Sequence, residues 1–264
     1  MEEREHAAAP TRVFERVVCG VDGSEEGLLA ARLAARVADP SGTLLLAAAE
    51  DPAIAAQAGW AATAVDARLD EETRAALDGA RADVEAIHAT ETALLSGSPN
   101  VVLLDELARR DATLAVVGTH GIGRATGIVL GSVTTRLLHG SPCSVLVGRA
   151  PDELERWPRS IVLGLDGSLP SARAAAAAWA LADRFGTDVR AIAGEGADVE
   201  AARRIAPDVE VHEARPVDAL VVLSEHADLV VVGSRGVSGI RALGSVSERV
   251  GHEARSSVLV VRER

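Results

Sequence analysis

The 264-residue chain has no lysine and no tyrosine, and all 27 of its basic residues are arginine. Without lysine, a Walker A loop ending in Gly-Lys-[Ser/Thr] is excluded. Schiff-base chemistry on a lysine amine is excluded with it. The missing lysine and the abundance of alanine read as codon bias rather than as selection. No apolar run approaches the roughly 20 residues needed to cross a bilayer. The N-terminus, Met1-Glu-Glu-Arg-Glu-His6, is acidic and has no apolar segment, so no secretory signal is expected. The expectation is a cytoplasmic protein with no membrane partner. Cysteine is scarce: Cys19 falls in a predicted strand and Cys143 just before another. Both read as buried, inert thiols in a reducing compartment, with a disulfide as the alternative. No Cys/His cluster has metal-ligand spacing, so no metal ligands are expected.

Positive charge is in short supply as well. The net charge is −12: 13 Arg against 21 acidic residues give −8 for residues 1–150, and 14 against 18 give −4 for 151–264. No basic stripe appears. General nucleic-acid binding, which rests on neutralising phosphates, is not expected. A mononucleotide needs only a local positive field and stays open.

The informative feature is a glycine pattern. Leu114-Ala-Val-Val-Gly118 reads as a buried strand, Gly118-Thr-His-Gly121 follows it, and after nine intervening residues comes Gly131-Ser132. Val133 to His139 then reads as a short helix. Strand, glycine loop and helix start form an anion-binding geometry. Glycines let backbone N–H groups approach closely and adopt positive φ, and a helix N-terminus adds unpaired donors and a positive dipole end. The pattern returns as Val231-Val-Gly233-Ser-Arg-Gly236, seven residues, then Gly244-Ser245.

Both copies also open and close alike. Arg16-Val-Val-Cys-Gly-Val-Asp22-Gly-Ser24 matches Ser160-Ile-Val-Leu-Gly-Leu-Asp166-Gly-Ser168, an offset of 144 (166 − 22). At the glycine loop the offset is 115 (233 − 118), so the second copy lacks 29 residues between its first strand and its loop. Cys143-Ser-Val-Leu-Val-Gly-Arg149 matches Ser256-Ser-Val-Leu-Val-Val-Arg262. The period is a whole domain. Two domains are expected, 1–150 and a shortened 151–264, joined by a linker at 150–159 with Pro151 and Pro158.

These motifs resemble the universal stress protein family in its tandem form: a strand ending in Asp-Gly-Ser, a G-x2-G-x9-G-[ST] loop and a closing Ser-Val-Leu-Val strand. The resemblance covers nearly the whole chain. It implies two open five-stranded parallel α/β sheets of Rossmann-like, adenine-nucleotide alpha hydrolase-like architecture, the second shortened. It implies ATP as ligand, with ADP or AMP as alternatives and Mg²⁺ accompanying the nucleotide. The residues implied are Asp22, Val117, Gly118, Gly121, Gly131, Ser132 and Val133. A matching set, Asp166, Gly233, Gly236, Gly244 and Ser245, departs from the family spacing in its shorter loop. Asp22 is assigned to the adenosine part, with Val117 and Ala48–Ala49 flanking the base. The last strands of two domains pair in this family, so Cys143–Arg149 and Ser256–Arg262 are expected to meet within one chain. A homodimer of chains is a further option.

The residues allow plainer readings too. Asp22 reads equally as a turn residue before Gly23-Ser24. Arg124 and His120 read either as phosphate contacts or as solvated loop side chains, and Arg235 and Arg241 occupy comparable places in the second copy. Strand–helix alternation implies parallel strands with right-handed crossovers. Predicted helices cover Ala61 to Ile87, Val101–Arg110 and 132–139, and an alanine-rich one opened by Pro170 carries Trp179 on its buried side. The region Gly194 to Pro207 is too short for the long helix of the first copy. His88, His139, His212, His226 and His252 read as surface or helix-end positions, and Glu71–Glu72 and Asp105–Glu106 as solvated faces. No G-x-S-x-G elbow or nucleophile–base pair occurs, so no catalytic residue is named. A nucleotide-responsive stress regulator is the leading reading. A slow ATP hydrolase and a nucleotide-free interaction module are the alternatives.

Overall fold

The computed structural model describes residues 14–53, 62–121, 130–234 and 244–263. Its strands are β1 (Arg16–Gly20), β2 (Thr43–Glu50), β3 (Thr90–Ser96), β4 (Leu114–Gly118), β5 (Ser144–Gly148), β6 (Ser160–Leu165), β7 (Asp188–Ala193), β8 (Glu210–Val211), β9 (Leu229–Gly233) and β10 (Ser257–Val261). The α-helices are α1 (Glu25–Val37), α2 (Ala62–Val84), α3 (Pro99–Arg109), α4 (Ser132–Gly140), α5 (Leu169–Phe185), α6 (Val199–Ile205), α7 (Pro216–Leu223) and α8 (Ser245–Glu253).

The strand order is β3-β2-β1-β4-β5-β10-β9-β6-β7-β8. Within each half every pairing is parallel. The halves join through one antiparallel pairing, Leu259 opposite Leu146 with Val258↔Val147 and Val260↔Val145. The Cys143–Arg149 and Ser256–Arg262 segments therefore meet, as expected. β5 and β10 are buried along their whole length, which explains their unbroken apolar character. β5 and β10, each an edge of its own half, become the centre of a ten-stranded sheet.

Alternation along the strands feeds two cores. Val17 and Cys19 face α1 and α2, while Val18 faces the side of α3 and α4. In the second half α5 and α6 cover the first side, and α7 and α8 the other. The shortened segment holds α6, seven residues in place of the 23 of α2.

Three expectations are corrected, and the linker is found to be packed. Trp179 is 40% exposed; α5 instead presses Ala174, Ala175 and Ala178 onto the sheet, a close approach that a Trp would prevent. The 150–159 linker is anchored: Trp157 is fully buried, its Nε1 donates to Asp228 O at 3.0 Å, and Arg36 Nε donates to Trp157 O. His88 is buried between the carbonyls of Asp39 and Ala89. Glu106 is also buried, accepting from Arg109 and Arg110 one turn ahead, so its helix face is not solvated. Both cysteines are free and buried, as expected. Burial, and secondarily the Asp22 charge, pushes the Cys19 thiol up, which keeps it inert.

Candidate nucleotide site

In each half the strand order reverses where the first strand lies beside the fourth: β1 beside β4, and β6 beside β9. Ligands of open parallel sheets bind beyond the carboxyl ends of strands at such a point. A cleft opens at both.

The first cleft, about 230 Å³, is lined by Asp22, Val117, Gly118, Gly121, Gly131, Ser132 and Val133. All seven residues expected for the first site are thus brought together. Of the residues ending β2, Ala47 and Ala49 line the cleft, whereas Ala48 turns into the opposite core. His120 also lines it.

Local chemistry explains each position. β1 ends in a turn where Asp22 Oδ1 accepts from Ser24 N at 3.1 Å and Ser24 Oγ at 2.5 Å. Ser24 Oγ in turn accepts from Gly27 N at 3.0 Å and caps α1, with Glu25 and Glu26 in the first turn. The turn reading of Asp22 therefore holds for Oδ1. Its Oδ2 lies toward the loop, where a Cβ on Gly121 would overlap it.

The loop glycines act through close approach. Gly118, Gly121, Gly131, Gly233 and Gly244 do not adopt positive φ, contrary to expectation; that backbone falls instead at Gly23 and Gly167, just after the two aspartates. At Gly118 a Cβ would stand 2.8 Å from Glu26 O, so only glycine lets α1 pass over the end of β4.

Gly131 is the N-cap of α4, with φ −62° and ψ 158°, and no side chain caps that helix. Its N–H donates to Thr119 O at 2.8 Å, which closes the base of the loop. Among the described residues the first-turn amides of α4 meet no side-chain acceptor, and they sit at the cleft with the positive end of the helix dipole. Thr134, which sequence reasoning missed, buries its hydroxyl and donates to Gly118 O at 2.7 Å. Its position in the first turn, two residues after Ser132, was the available signal.

The second cleft, about 350 Å³, gathers Asp166, Gly233, Gly244 and Ser245. Gly236 lies outside the described residues, as do Arg124, Arg235 and Arg241. Asp166 Oδ1 holds Ser168 N and Oγ as Asp22 holds Ser24. Gly244 caps α8 without a side chain. Three details differ. Ser247, at the place of Thr134, donates to Gly244 O at 3.3 Å. Ile192 and Gly194 stand where the first cleft has Ala47 and Ala49, and the acidic residue Glu195 joins the lining. Among the described residues no group of three or more His, Cys, Asp or Glu could hold a metal ion. No helix among them is long and apolar enough to cross a membrane.

The universal stress protein family model matches residues 14–149 and 194–262. A universal stress protein of Mycolicibacterium smegmatis is 32% identical, with 94% of this chain and 97% of that one covered. One from Mycobacterium tuberculosis is 36% identical over 58% of this chain and 63% of its own length. A universal stress protein from Archaeoglobus fulgidus shares the fold with a TM-score of 0.73 at 18% identity, covering 94% of this chain and 96% of its own. The chain belongs to the universal stress protein family, in a tandem arrangement.

Proposed function

We propose that this member of the family binds an adenine nucleotide, ATP foremost, mainly in its first cleft, and acts as a nucleotide-responsive regulator of the stress response. The observation that carries the reading is the uncapped N-terminus of α4 opening on the cleft that also holds Asp22. The donor set fits the ligand. The α4 amides and the exposed Ser132 suit phosphate oxygens. A carboxylate repels phosphate but accepts from hydroxyls, so Asp22 suits the ribose. Val117, Ala47, Ala49 and Leu103 offer an apolar wall for the base. ADP and AMP meet the same base and ribose contacts with fewer phosphates. Mg²⁺ would arrive with the nucleotide and neutralise phosphate charge.

Preference for the first cleft rests on its full-length loop and on the Thr134–Gly118 bond that fixes the helix to the strand. Volume argues the other way, since the second cleft is the larger. It is outweighed because the second cleft is lined by Glu195 as well as Asp166, and its loop is two residues shorter. Mass spectrometry of small molecules released from freshly purified protein tests the reading. Recovery of an adenine nucleotide is expected. Protein that releases none, and takes up none when ATP is supplied, contradicts it.

A further inference from the structure

Next to the seam, two arginines cross between the halves. Arg149 follows β5 in the first half, yet its guanidinium donates to Gly251 O at 2.5 Å and Ser256 O at 3.3 Å, both in the second. Arg262 follows β10 in the second half, and its guanidinium donates to Leu138 O in the first. The exchange is reciprocal in the backbone as well. Arg149 N donates to Ser257 Oγ at 3.0 Å, and Arg262 N donates to Ser144 Oγ at 3.2 Å.

The carbonyls chosen are informative. Leu138 lies in the last turn of α4 and Gly251 in the last turn of α8. Last-turn carbonyls have no partner within their helix, and a cation there meets the negative end of the dipole. Each arginine thus holds the C-terminus of the helix whose N-terminus opens on the other half's cleft. Both helices have nine residues, about 13 Å at 1.5 Å per residue. A shift at one end of so short a rod is carried to the other. The rods also touch: a Cβ on Gly251 would stand 3.1 Å from Leu138 Cδ1, and His139 Nε2 lies 3.3 Å from Glu248 Oε1. Burial pulls the pKa of the half-buried Arg149 guanidinium down to about 10.

We infer that Arg262 is a positioning residue for the first cleft and Arg149 for the second, so that each anion-facing helix is set by the opposite half of the chain. The affinity part of this inference rests on nucleotide binding in the first cleft; the helix-positioning part does not.

The test uses the full chain and two variants, Arg262→Met and Arg149→Met, with two readouts. In calorimetric titration with ATP, Arg262→Met is expected to weaken binding by at least about fivefold, Arg149→Met to leave the first cleft within about twofold, and Arg262→Lys to recover part of the loss. In hydrogen exchange of the ligand-free protein, Arg262→Met is expected to speed exchange in 132–140 and Arg149→Met in 245–253. Should Arg262→Met not fold, Arg262→Lys carries the same comparison. A parent that binds no ATP removes the nucleotide reading, and exchange then decides alone. Faster exchange in the helix of the opposite half upholds the inference. Equal effects of the two variants on both helices, or equal effects on ATP affinity, overturn it, because a purely structural role predicts that symmetry.

Discussion

Thr134 Oγ1 donates to Gly118 O at 2.7 Å, a buried bond linking the first turn of α4 to the last residue of β4. It sets the distance between the amides that face the cleft and the strand that forms its floor. Thr134→Val keeps the shape and removes the donor. The variant is expected to lose about 1–3 kcal/mol in urea unfolding, since a buried acceptor loses a partner, and to bind ATP more weakly. Thr134→Ser is expected to recover most of both. Unchanged ATP affinity in Thr134→Val would separate the bond from the site.

Gly118 and Gly131 respond differently to the same methyl group. Gly118→Ala would bring a Cβ within 2.8 Å of the Glu26 carbonyl, and a destabilisation of about 1–3 kcal/mol is expected from such overpacking. At Gly131 the nearest atoms stand 3.4 and 3.5 Å away, so Gly131→Ala is expected to fold normally and shift stability little. Equal midpoints for the two variants in thermal unfolding would contradict this account of the loop.

Hydrogen bonds from Arg109, and then from Arg110, hold the Glu106 carboxyl below its ordinary value of 4.5. A depressed folded value means the stabilisation is complete above the unfolded value and is lost as pH falls through the folded one. The parent is therefore expected to lose stability below pH 4.5, and Glu106→Gln to be less stable at neutral pH with a shallower acid slope. Urea midpoints from pH 3 to 7 check this; parallel curves would remove Glu106 from the acid response.

Much of this architecture was legible in the residues. The repeat announced two equivalent halves, and the near identity of Cys143–Arg149 and Ser256–Arg262 pointed to the seam. The first-cleft residues were readable because loop spacing and strand ends are local features. What escaped depends on tertiary context. Asp105 is exposed as read, but its neighbour Glu106 is buried, and nothing in two adjacent acids says which of them faces the core. Trp179 is exposed because the alanine face of α5, Ala174, Ala175 and Ala178, takes the contact with the sheet. Thr134 carries no motif of its own. Arg149 and Arg262 were visible as matching ends, but their crossing requires the antiparallel seam.

The central claim is nucleotide binding at the first cleft, and Gly131→Asp tests it most directly. Aspartate suits the extended N-cap backbone of α4 and would cap its first-turn amides, so the fold is expected to persist. The same carboxylate would occupy the donors meant for phosphate and repel the ligand. Calorimetric titration with ATP is expected to give close to one site per chain for the parent, none for Gly131→Asp and close to one for Gly244→Asp. A parent that binds no ATP, or a Gly131→Asp variant that binds it as the parent does, would contradict the account.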